Sequence, residues 1–112
     1  MKNFRTYDLA KSFYRDCQGL KFKDPFQDQF DRALLSLVLS IAEGSAKPTA
    51  KDRKKFYAIA MGSLREVQVI LDLCGYANQH AVSDAVAACL YRLIQNRWKR
   101  SLTASLPECP LC

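Results

Sequence analysis

Two segments decide how this chain folds: Ser40-Ile41-Ala42-Glu43-Gly44 and Ala60-Met61-Gly62-Ser63-Leu64-Arg65-Glu66. Both sit in runs whose apolar residues recur every three to four positions, the signature of amphipathic helices. Yet each carries a glycine, which costs a helix interior about 1 kcal/mol relative to alanine. Each also carries a glutamate beside apolar neighbours, where burial is unfavourable unless the charge is paired. The first glycine reads as a helix stop of the left-handed kind. Gly62 and Ser63 read as small residues on or near the core face, admitting a close neighbouring helix.

Working outward, four helices emerge. The first covers about Phe4 to Leu20, with Phe4, Tyr7, Tyr14 and Cys17 on one stripe and Leu9, Phe13 and Leu20 on the next. Pro25 is suited to the first position of helix two, which carries Phe26, Phe30, Ala33, Leu34, Leu37 and Ile41 inward. Ser45 to Ala50 forms a loop, and Thr49 is the candidate cap of helix three, with Asp52 three residues on. That helix presents Phe56, Ile59, Ala60, Ser63, Val67, Ile70 and Cys74 on one stripe and ends at Gly75. After an Asn78-Gln79-His80 turn, helix four covers about Val82 to Trp98 with Val82, Val86, Cys89, Leu90, Leu93 and Ile94 inward. Short connections force successive helices antiparallel. The expected fold is all-α: an up-down-up-down four-helix bundle over residues 1–100, with a flexible tail over 101–112.

Order and spacing of these motifs resemble the family of small four-helix-bundle proteins encoded by intervening sequences in bacterial 23S ribosomal RNA genes. Ile41-Ala42-Glu43-Gly44 is similar to that family's helix-two ending, and Gly62-Ser63-Leu64 with Glu66 to its helix-three centre. Arg32-Ala33 with Ser36, Phe56, Ala60, and Leu73 with Gly75-Tyr76 follow the same pattern, from Phe4 to Tyr76 and more weakly through helix four. Ser40 departs from it, since the family usually has asparagine there. The resemblance implies a homopentamer, related to accessory proteins of diversity-generating retroelements that bind nucleic acid and reverse transcriptase. It implies Glu43, Gly44, Gly62, Ser63 and Glu66 as the structural motif.

Composition narrows the function. The 112 residues include 17 Lys and Arg against 11 Asp and Glu, a net charge of +6. In an up-down-up-down bundle, Lys2, Arg5, Lys47, Lys51, Arg53, Lys54, Lys55, Arg97, Lys99 and Arg100 gather at one end. The opposite end holds Asp16, Asp24, Asp28, Asp72 and Asp84. Lys51, Arg53, Lys54 and Lys55 occupy the first turns of helix three, where the helix dipole disfavours cations by about 0.3–1 kcal/mol each. A charge run is often only a solvated face. Here two runs converge at one pole, so Lys47, Lys51, Arg53, Lys54, Lys55, Arg97, Lys99 and Arg100 are the candidate contacts to nucleic-acid phosphates. Trp98 is the one candidate for base stacking, against a plainer role as the last core residue of helix four.

Helix two is apolar beyond one stripe, through Leu35, Val38, Leu39 and Ala42. A helix apolar all round is a buried helix, and a second subunit is the simplest cover. That face could instead dock a different protein, a reverse-transcriptase-like one among them. No catalytic pair, phosphate loop or metal constellation is legible. Glu43 and Glu66 lie roughly 20 Å apart along the bundle at 1.5 Å per residue, too far for a two-carboxylate glycosidase. Each is expected instead to accept hydrogen bonds or pair with a cation, Glu43 at the second loop or a neighbouring subunit and Glu66 across an interface. The expectation is a non-enzymatic protein with no cofactor, metal, small-molecule substrate or membrane partner. No leader or span is visible, so the cytoplasm is the expected compartment. Five cysteines, an odd number, argue against a disulfide framework, and Cys109-Pro-Leu-Cys112 reads as reduced thiols in the tail.

Overall fold

A computed structural model of the chain describes residues 4–95. Among them are four α-helices and no strand: α1 (Arg5–Asp16), α2 (Phe26–Ser45), α3 (Ala50–Leu73) and α4 (Ala77–Ile94). α1 packs on α2, α2 on α3, α3 on α4, and α4 returns to α1, with the α2–α3 seam the most extensive. This is the expected antiparallel bundle. Trp98 and the tail fall outside the described residues.

One apolar cluster runs the length of the bundle. Phe13, Phe30, Leu34, Leu37, Ile41, Leu64, Val67, Leu71, Val86 and Leu90 are essentially inaccessible to water. Fully burying an aliphatic or aromatic side chain of this size contributes about 1.5–3 kcal/mol, so this column is the main stabilising term. A polar cluster centred on the buried Gln68 and Ser83 is fully bonded. Gln68 donates to Ser83 Oγ at 3.0 Å and Asp84 Oδ1 at 3.1 Å, and accepts from Arg65 at 2.7 Å. Ser83 in turn donates to the His80 carbonyl. This network fixes the register of α3 against α4.

Several boundaries differ from the sequence reading. α1 ends at Asp16, and Leu20 instead lies in the α1–α2 connection, half buried. There the Phe22 ring centre lies 4.4 Å from that of Phe30, tilted, and 5.2 Å from that of Tyr76, edge-to-face, and the Tyr76 hydroxyl donates to the Lys21 carbonyl at 2.7 Å. Pro25 occupies the cap position before α2, not its first turn, and the Asp24–Pro25 peptide is cis. Asn78, Gln79 and His80 are not a turn: α4 starts at Ala77, and Val82, expected inward, is exposed.

The glycines are the clearest corrections. Gly44 does not end α2 with a left-handed turn, because the helix continues through Ser45. It is glycine for lack of room: a Cβ there would lie 2.8 Å from Tyr57 Cε1 and 3.0 Å from Phe56 Cβ. The left-handed residue is Gly75, at φ +81°. Its N–H donates to the Asp72 carbonyl and that of Tyr76 to Leu71, the paired bonds of a Schellman ending. Gly62 was expected to ease packing inside the bundle, yet it faces outward with nothing within 4 Å of its would-be Cβ. Only Ser63 of that pair meets a neighbour, sharing a 2.8 Å hydrogen bond with Ser36 of α2.

Candidate nucleic-acid interface

The basic end is built around the α2–α3 loop. Thr49 has extended backbone and its hydroxyl accepts the Asp52 N–H at 3.2 Å, the cap that its sequence position implied. Arg53, one turn into α3, reaches back and donates to the carbonyls of Lys47 at 3.0 Å and Pro48 at 3.2 Å. The Lys47 ammonium lies 4.8 Å from the centre of the Phe56 ring, within cation–π range. Burial pushes the Tyr57 phenol above its ordinary pKa of 10.0, and the nearby Arg53 charge partly opposes this.

This geometry divides the candidate contacts. Arg53 and Lys47 have structural work, tying the loop to the start of α3, and so have a stability rationale that their sequence context did not show. Lys51 and Lys55 are exposed and Lys54 is half buried. None of these three makes an ion pair among the described residues. They remain cations at the unfavourable end of a helix dipole. Arg5 stands exposed at the start of α1, at the same pole. Lys2, Arg97, Lys99 and Arg100, placed at this pole by sequence, lie outside the described residues.

A second surface lies along the outer sides of α2 and α3. Of the four residues expected at an interface, Leu35 and Leu39 are 46% and 50% exposed, whereas Val38 and Ala42 are half buried, Val38 packed against the core. The larger apolar strip was missed. Ile59, Val69 and Leu73 of α3 are 46%, 56% and 66% exposed. With Gly62 and Glu66 they recur at alternating intervals of three and four, the spacing of a helix–helix seam. Ile59, expected inward on the stripe of Ala60, faces outward instead. Spacing alone could have separated the two, since Ile59, Gly62, Glu66, Val69 and Leu73 form a stripe distinct from Ala60, Leu64, Val67 and Leu71.

The motif carboxylates lie on these outer faces. Glu43 and Glu66 are both exposed, and neither carboxylate makes a hydrogen bond or ion pair among the described residues, so Glu43 does not take the bond expected of it at the second loop. Ser40, in the place of the family's usual asparagine, is buried. Cys17 and Cys74 carry free thiols, and burial together with Asp16 pushes the Cys17 pKa up to about 12. Cys89, expected to be free, is disulfide-bonded. Among the described residues no three His, Cys, Asp or Glu side chains gather as a metal site, and no helix is long and apolar enough to cross a membrane.

What these features define is an antiparallel four-helix bundle, basic at one end, with two exposed apolar faces on adjacent helices. The chain belongs to the 23S rRNA-intervening sequence protein family, whose sequence profile matches residues 4–97. Comparison with curated proteins and with solved structures returned no match.

Proposed function

We propose that this protein is a non-enzymatic, self-associating bundle that binds nucleic acid through the basic rim at the start of α3. One observation carries the reading. Lys51, Lys54 and Lys55 crowd the first turns of α3 without a carboxylate partner among the described residues of the subunit, at a site where the helix dipole opposes them. Such an arrangement lowers stability and raises the local positive potential, the trade expected of a phosphate-binding surface. Arg53 and Lys47 support the rim by holding the loop in place.

Self-association multiplies the effect, because each added subunit contributes another lysine cluster to a common rim. The exposed leucines of α2 and the apolar stripe of α3 support that association, and a ring of five is the assembly the family resemblance favours. A second reading rests on the same apolar faces: they dock a different protein, a nucleic-acid-processing enzyme such as a reverse transcriptase among the candidates. The proposed site of action is the cytoplasm.

Light scattering coupled to size-exclusion chromatography, with mobility shifts on RNA and on duplex DNA at two salt concentrations, tests both. Nucleic-acid binding that weakens steeply with salt supports the rim, since counterion release gives a slope of about −0.9 per phosphate neutralised on duplex DNA. A protein that shifts neither RNA nor DNA at low salt would overturn it. Salt-insensitive capture of a partner protein would favour the second reading.

A further inference from the structure

The two outer faces of α2 and α3 are complementary to each other in register, and this carries an inference about how copies of the chain join. Along α2 the exposed positions read Arg32, Leu35, Leu39, Glu43. Along α3, in the opposite direction, one row of exposed positions reads Glu66, Gly62, Ile59, Lys55, with Arg65 and Ala58 exposed beside it. Laid antiparallel, the two rows pair a cation with an anion at one end and an anion with a cation at the other. Between them, Leu39 meets Ile59, and Leu35 meets Gly62, where no atom lies within 4 Å of the position a Cβ would take. Within the subunit none of these four charges has an ion-pair partner among the described residues.

We infer that α2 of one copy packs antiparallel on α3 of the next, with Arg32 against Glu66, Leu35 in the hollow over Gly62, Leu39 against Ile59 and Glu43 against Lys55. This deepens, and rests on, the self-association proposed above. The contact joins two different faces, so it is heterologous, and heterologous contacts close into rings when the rotation permits. α2 and α3 are already antiparallel within the chain. Packing α2 of one copy antiparallel on α3 of another therefore keeps all copies pointing the same way. Every Lys51 and Lys54 then falls on one rim, while Lys55 is taken up by the seam.

Interface complementation tests this directly. Leu39→Glu disables the α2 face and Ile59→Glu the α3 face, and both positions are about half exposed, so each subunit keeps its helical circular dichroism. Wild type should be an oligomer by light scattering, and each variant alone a monomer. An equimolar mixture at tens of micromolar should form a dimer, because one intact α2 face meets one intact α3 face. Arg32→Glu and Glu66→Arg should each weaken assembly at least tenfold, and their combination in one chain should restore most of it. A wild-type oligomer with either apolar variant still assembled, or with the mixture still monomeric, overturns the pairing and leaves self-association standing. A monomeric wild type overturns both, and neither result depends on nucleic-acid binding.

Discussion

Replacing Gly44 by alanine isolates the contact that decides how closely α2 and α3 approach. In an open helix, alanine would gain up to about 1 kcal/mol over glycine. Here the new methyl would sit 2.8 Å from Tyr57 Cε1 and 3.0 Å from both Tyr57 Cδ1 and Phe56 Cβ, all closer than carbon atoms pack. Tyr57 is itself only 5% exposed, so its ring cannot swing aside into water. Overpacking of this kind costs about 1–3 kcal/mol. The expected net effect is a loss of about 1 kcal/mol, rising to about 2 if the helix gain is small near the end of α2. For a domain of this size each kcal/mol lowers the melting temperature by about 4–8 °C. Urea denaturation followed by circular dichroism measures it, at matched subunit concentration because association adds to apparent stability. A Gly44→Ala protein as stable as wild type would refute the close approach of Tyr57. The complementary change, Gly62→Ala in the Leu39→Glu background, should be neutral or stabilising by up to about 1 kcal/mol, because nothing lies near that position within the subunit.

Gly75→Ala should destabilise by about 1–2 kcal/mol, since φ +81° brings a Cβ against the backbone; an unchanged urea midpoint would argue against the left-handed turn there. Thr49→Ala should cost about 1 kcal/mol through loss of the α3 cap, read in the same titration, while Thr49→Ser should retain most of it. Stability should fall as pH rises above 9, because the unfolded chain releases the Cys17 proton near 9.0 while the folded chain holds it to about 12. Cys17→Ala should flatten that alkaline decline, and a decline of equal steepness in both proteins would remove Cys17 as its source.

Much of the fold was readable because periodicity reports burial. Phe30, Leu34, Leu37 and Ile41 repeat at the helical interval and all line the core. Thr49 followed by Asp52 was legible as a cap for a similar reason, since capping chemistry is local. Gly44 and Gly62 misled because a glycine has two opposite uses, and only the neighbouring helix distinguishes them. At Gly44 a tyrosine from α3 fills the space, whereas at Gly62 the space is open. The basic pole was legible as a charge cluster, but not the division of labour inside it. That Arg53 clamps two loop carbonyls depends on where the loop passes, which charge patterning does not encode.

The basic rim is tested most directly by fluorescence anisotropy of a labelled RNA oligonucleotide, titrated with wild type and with Lys51→Gln/Lys54→Gln at several salt concentrations. Arg53 is left intact, so the loop it holds is preserved. Removing two cations from a helix N-terminus should leave the fold unchanged or slightly more stable, and Lys55 is kept because it belongs to the proposed seam. The expected result is salt-dependent binding by wild type, at least a tenfold loss of affinity in the double variant at low salt, and a shallower salt slope. Equal affinity and equal slope for the two proteins would show that these lysines are only a solvated face.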